Sequence, residues 1–220
     1  LILAFGLVAA SLVFTEGFVQ SRTADRYVTV KGIAERDVKA GLALWPLRFV
    51  ATDDRLDVAQ AAIARSHDAV VAFLERHGID RANTEVQGLE VTDVLANAYR
   101  DGPAASRYII AQTLMVRTED VDVVRDASQK VGELVDAGVV LSSQSGPIAP
   151  TYLFTRLSDL KPEMIAEATT NARHAAEQFA SDSGSSVLGI RRANQGLFEI
   201  LPRDRVMGVS EENQIHKTVR

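Results

Sequence analysis

A chain of 220 residues, 46% of them hydrophobic, is long enough for one sizeable core or two small ones. Its formal net charge of -5 argues against a nucleic-acid binder, because affinity for phosphates rests mainly on Lys and Arg. The lack of cysteine excludes disulfides, thiolate metal sites and thiol catalysis, and leaves the redox compartment open.

The chain opens without an initiator Met, which reads as the interior of a longer gene product. Leu1 to Thr15 carries no charge, and counting on to Gln20 gives the roughly twenty residues a bilayer core requires, with Glu16 as the single interruption. No A-x-A pattern follows the apolar run, so residues 1–21 read as a retained transmembrane signal anchor, the alternative being a cleaved secretory signal. Gly6 and Ala10 form a small-xxx-small pair that lets such helices approach one another. Glu16 reads as a carboxylate that snorkels or meets headgroups, and in a sharper reading as one of a ring of side chains facing an oligomeric lumen.

Ser21 to Asp25 is a polar linker. Alternation from Tyr27 to Ile33 predicts a strand, paired across an Asp37 to Gly41 turn with Leu42 to Thr52. Pro46 marks an edge, a bulge or a break in that second strand. Trp45 reads as a core or rim packing residue, with an interface anchor as the alternative. A helix capped by Asp53 or Asp54 runs to about His77, burying Leu56, Ala59, Ile63, Val70 and Leu74, and Gly78 stops it. Strands follow near Glu85 to Val94 and Arg107 to Arg117, the latter apolar on both faces and therefore central. Thr118 to Gly138 predicts the next helix, with Val124, Ala127, Val131 and Leu134 as its stripe. Val139 to Leu141 and Ile148 to Phe154 return the chain to the sheet.

The most informative stretch runs from Pro150 to Arg205. Ser158 is a good N-cap, Pro162 falls close to the helix start, and Ser183 with Gly184 supplies the stop. Ile165, Ala168, Ala172, Ala175 or Ala176, and Phe179 define a buried stripe that is mostly alanine, suited to lying close on a sheet. Val187 to Arg192 and Leu197 to Leu201 then read as strands, with Ala193 to Gly196 as their turn.

The order YLFTRLSDLKPEMIAEATTNARHAAEQFASDSG followed by GIRRANQGLFEILPRD resembles bacterial proteins of the SIMPL-domain family, or domain of unknown function 541. The resemblance extends from about Tyr27 to the end, with RYVTVKGIAERDVKAGLALWPLRFVATDD similar to the family's opening hairpin. It implies an envelope location, an α+β fold, ring-like homo-oligomers and a link to oxidative-stress tolerance, and it brings no catalytic motif. It also implies a final strand beyond the polar tail that ends in IHKTVR.

Chemistry-bearing constellations are sparse. Of the four histidines, none pairs at the i, i+4 spacing of a helical metal site. His174 with Glu177 reverses the Glu-x-x-His order of di-iron bundles, and no second such motif faces it. Glu163 and Glu167 form a carboxylate ridge continuing through Asn171 to His174, which reads as a solvated face; acid–base chemistry there would need a pocket. Arg191, Arg192, Arg203 and Arg205 read as surface charge, or as an anion-binding patch.

The expected molecule is therefore α+β: three soluble helices packed on an antiparallel or mixed sheet in two ferredoxin-like subdomains, preceded by one N-terminal transmembrane helix. The expected domains are an anchor over residues 1–21 and a SIMPL-type body over 22–220. The expected role is non-enzymatic, with no cofactor and no metal: a ring-like homo-oligomeric scaffold on the bacterial inner membrane, its body in the periplasm and its partner itself. The alternatives are an envelope module that binds a ligand or protein, and an enzyme using Glu163, Glu167 and His174.

Overall fold

The computed structural model describes residues 27–96, 105–143, 149–204 and 206–220, and the expected anchor, with Gly6, Ala10 and Glu16, lies outside them. No helix among the described residues is long and apolar enough to cross a membrane. The chain falls into two units, one of Leu1–Ala34 and Lys161–Leu197, the other of Glu35–Leu160 and Phe198–Arg220.

In chain order the elements are β1 (Arg36–Lys39), β2 (Leu42–Asp53), α1 (Leu56–Arg76), β3 (Thr84–Asp93), β4 (Tyr108–Thr118), α2 (Val121–Ser128), α3 (Gly132–Asp136), β5 (Val140–Leu141), β6 (Thr151–Leu153), α4 (Leu157–Asp182), β7 (Ile200–Pro202) and β8 (His216–Val219). The larger unit holds both sheets. One has the order β3-β4-β2-β5, with β6 pairing the other end of β2, and every pairing is antiparallel. Because β4 lies between β3 and β2, the succession β2, α1, β3, β4, α2 with α3, β5 is a split βαβ arrangement.

Alternation along β2 sends Trp45, Leu47, Phe49 and Ala51 to one buried face. Ile110, Leu114 and Val116 of β4 join them on that face, as the register of β2 against β4 requires. α1 covers it with Ala59, Ile63, Val70, Phe73 and Leu74, and Phe73 meets Trp45 edge-on at 6.4 Å. Leu56, expected on this stripe, is 43% exposed because it stands in the first turn. Pro46 neither bulges nor breaks β2: it stays in register with Met115. On the opposite edge β6 pairs Leu42 to Leu44 and β5 pairs Phe49 and Val50, so Pro46 sits in the gap where no ladder bond is asked of it.

Among the described residues four α-helices replace the expected three, because the segment predicted as one helix from Thr118 to Gly138 is two. Asp120 caps α2 by accepting from the Val123 N–H at 3.3 Å. Ser128 Oγ then donates back to the Arg125 carbonyl at 2.7 Å and Gly132 opens α3, both features that weaken a continuous helix. Gly78, Gly138 and Gly184 follow α1, α3 and α4 at positive φ, as their spacing predicts.

The second sheet, β1-β8-β7, corrects the expected opening hairpin. Residues 27–35 form no strand, and β1 pairs with β8 rather than with β2. The IHKTVR tail is itself the central strand of this sheet, paired by β1 on one side and β7 on the other. Val187 to Arg192 forms no strand, and of the second predicted strand only Ile200 and Leu201 enter β7.

In the smaller unit, α4 buries Met164, Ala176 and Ala180, with Ala168 and Ala172 half-buried between them. The predicted stripe is thus displaced by one residue at each end, leaving Ile165 and Phe179 exposed. Ser158 lies inside the first turn rather than capping it. What lies close on the alanines is not a sheet but the segment around Gly32, where a Cβ would stand 1.7 Å from the Ala168 carbonyl oxygen. Asn171 Nδ2 secures that segment by donating to the Ile33 carbonyl at 2.9 Å. Replacing Gly32 by Ala is expected to push the segment off α4 and destabilise the protein by at least about 1–3 kcal/mol. A urea midpoint unchanged from wild type would show that this approach contributes nothing.

Candidate functional site

An open cleft of about 380 Å³ lies in the larger unit, lined among others by Arg125, Ser128, Tyr152, Arg203, Gln214 and His216. Each wall has a local cause. Arg125 stands on α2, held by Asp126 at 3.0 Å and Asp122 at 3.1 Å. The Lys39 ammonium hydrogen-bonded to Asp122 keeps that carboxyl below the usual carboxylate range. Tyr152 is only 4% exposed on β6. Gln214 closes the loop from Pro202 to His216 by accepting from the Asp204 N–H at 3.0 Å and donating to the Asp204 carbonyl at 2.7 Å.

Beneath this loop lies Lys217, a fully buried lysine on β8. Its ammonium donates to the carboxylate of Glu211 at 2.6 Å and to the Glu211 carbonyl at 2.5 Å. One residue thus supplies both acceptors, and a 3₁₀ turn at Glu211–Asn213 holds it in place. The sequence marks Lys217 as an ordinary polar residue of the tail; nothing in its spacing signals burial.

A second feature is the outer edge of β3. Among the described residues this ten-residue strand pairs only with β4, and most of it is exposed. Val86, Leu89 and Val91 share the face that β4 turns toward α1, yet are 48%, 61% and 51% exposed because α1 packs on β2 and β4. Glu90 and Asp93 are held at 2.9 Å by Arg48 and Arg107. The hydrogen bond from Arg107 keeps Asp93 below the usual carboxylate range.

The residues singled out from the sequence disperse. Glu163 and His174 are exposed on α4, Glu167 is half-buried there, and none of the three lines the cleft. His174 approaches Glu177 only to 3.8 Å. His67 meets Gln112 at 3.2 Å and His77 meets Glu133 at 3.1 Å, each in the larger unit, and no group of three potential metal ligands occurs among the described residues. Of the four arginines, Arg203 reaches the cleft, Arg191 lies over the Tyr27 ring at 5.2 Å, Arg192 is exposed and Arg205 lies outside the described residues. The cleft itself was missed because its walls come from α2, β6, β8 and the loop between β7 and β8, distant in sequence.

The profile of the SIMPL family, described as a protein of unknown function (DUF541), matches residues 28–215. The chain belongs to the SIMPL family. That match spans both units, so the displaced opening segment and the cleft loop are parts of a SIMPL chain rather than additions to one. Comparison with curated proteins gives no match.

Two outcomes are expected from this geometry. Glu211→Ala leaves the Lys217 ammonium buried without its carboxylate and is expected to lower unfolding stability by about 3–5 kcal/mol, whereas Lys217→Met, which removes the charge and keeps the length, costs much less. Equal losses in urea unfolding would contradict this account of the pair. Burial pushes the Tyr152 phenol above its ordinary 10.0, against smaller opposing contributions from Ser128 and Arg125. The folded state therefore holds this proton longer than the unfolded chain, so its stabilising effect is full below about pH 10 and is lost as pH rises toward the folded value. Tyr152→Phe is expected to flatten that alkaline decline in a series of urea midpoints, and an unchanged slope would assign the decline elsewhere.

Proposed function

We propose that this SIMPL-family chain is a non-enzymatic envelope scaffold whose bodies assemble into a ring-like homo-oligomer. Residues 1–21 hold it in the bacterial inner membrane, with the body, read as ferredoxin-like around its split βαβ sheet, in the periplasm. The family resemblance adds a link to stress tolerance. The observation that carries the reading is the β3 edge: ten residues of strand, without Lys or Pro, exposing Val86, Leu89 and Val91. Such an edge is a template for another chain unless something covers it, and symmetric closure is the common way of covering it. The uncharged run from Leu1 to Thr15 supports the tether.

A second reading rests on the cleft. Arg203 and His216 line it beside Arg125, whose guanidinium Asp122 and Asp126 already hold, and a small anion taken up by Arg203 and His216 makes the body a capture module.

Light scattering on the detergent-solubilised full chain, with the detergent contribution subtracted, separates the two. A discrete mass of many chains, retained when residues 1–21 are removed, is expected for the scaffold. A single chain in both forms overturns it and leaves the capture module, whose mark is anion binding that Arg203→Ala weakens.

A further inference from the structure

The smaller unit contains a segment with the properties the β3 edge lacks. Residues 185–197 belong to no helix or strand, and within them Val187 to Arg192 reads VLGIRR. Leu188 is 99% exposed and Ile190 70%. In extended conformation Leu188 and Ile190 share one face, and Arg191 and Arg192 follow them with no acidic residue between Val187 and Arg192. β3 has the opposite character, with Glu85, Glu90 and Asp93 and no basic residue from Thr84 to Asp93.

We infer that the Val187–Arg192 arm of one copy adds as an antiparallel strand to the free edge of β3 in a second copy. The inference rests on the scaffold reading and names its contact. Length permits it, since the arm needs about six of the edge's positions at roughly 3.3 Å each. Alternation permits it too: with Leu188 opposite Val91, Ile190 falls opposite Leu89, so both apolar pairs lie on one face. Charge sets the direction. Glu90 and Asp93 are already held by Arg48 and Arg107, which leaves Glu85 as the edge's remaining carboxylate. Arg191 already lies over the Tyr27 ring, and it is Arg192 that an antiparallel arm carries toward Glu85 and a parallel arm carries away from it. Because the arm lies in one unit and the edge in the other, each copy has one of each, and repeated head-to-tail addition closes a ring when the rotation allows it.

The chain has no cysteine, so engineered pairs report without background. Full-length copies with two different affinity tags are mixed, one carrying Leu188→Cys and the other Val91→Cys, then Ile190→Cys with Leu89→Cys. Facing residues on paired strands stand about 4.5–5.5 Å apart at Cα, within disulfide reach. Mild oxidation is expected to join the two tags in both pairings and not when Gln129→Cys, on α2's exposed end, replaces either edge position. Leu188→Asp, at a side chain that is 99% exposed, is expected to raise the concentration for half-assembly by about tenfold or more. An assembly that yields no inter-tag disulfide and ignores Leu188→Asp overturns the arm contact while leaving the scaffold standing. A wild-type chain that is a single copy by light scattering overturns both. A disulfide formed only when both cysteines sit in one chain shows that the arm caps its own edge, and overturns the inference as well.

Discussion

β2 is the strand on which the larger unit depends. Trp45, Leu47 and Phe49 are fully buried on one of its faces, and its two edges carry β4 along the whole length and β5 and β6 at the two ends. At about 1.5–3 kcal/mol for each large side chain taken out of water, that face alone exceeds any polar contact in the molecule. It also fixes register. A slip of one residue would turn Trp45, Leu47 and Phe49 outward and bring Arg48 into the core, so the pairing with β4 admits no alternative. α1, α2 and the return strands find their places relative to this one face.

The same constraint explains what is left uncovered. α1 is wide enough for β2 and β4 but not for β3, so the apolar residues of β3 lie beyond its reach. Elsewhere in the larger unit Lys217 is buried only because Glu211 offers it two acceptors, and the loop over it is latched by Gln214. A chain that satisfies a buried ammonium this completely leaves a long acidic edge open on β3 and bare apolar side chains at Leu188 and Ile190. That contrast, more than any cluster of reactive groups, directs the functional reading toward association.

Much of this was legible in residue patterns. The alternation in β2 and β4, the period of α1 and the positions of Gly78, Gly138 and Gly184 all report local geometry that the chain carries wherever it goes. The family, too, was readable from the late segment, and the match over residues 28–215 confirms it. Patterns failed where a partner had to be chosen. Tyr27 to Ile33 alternates like a strand but lies along α4, because Gly32 lets it approach the Ala168 carbonyl more closely than any side chain would permit. Val187 to Arg192 alternates likewise and joins no strand among the described residues. The Thr118 to Gly138 helix broke because a hydroxyl back-bond and a glycine outweighed a periodic stripe. The acid–base candidates Glu163, Glu167 and His174 stayed scattered on one helix because spacing along a helix creates a row, not a pocket.

The sequence by itself determined the α+β class, the main helices with their glycine stops, the central strands, and the exclusion of thiol chemistry, since each follows from side-chain type and period along a few consecutive residues. Only the tertiary structure decided that the C-terminal IHKTVR is a central strand, that Lys217 is buried, that Arg125, Tyr152 and Arg203 share a cleft, and that β3 is an open edge. Those outcomes depend on which distant segments meet. Strand partners and cleft walls are selected by competition among all the surfaces of the folded chain, and no local pattern carries the result of that competition.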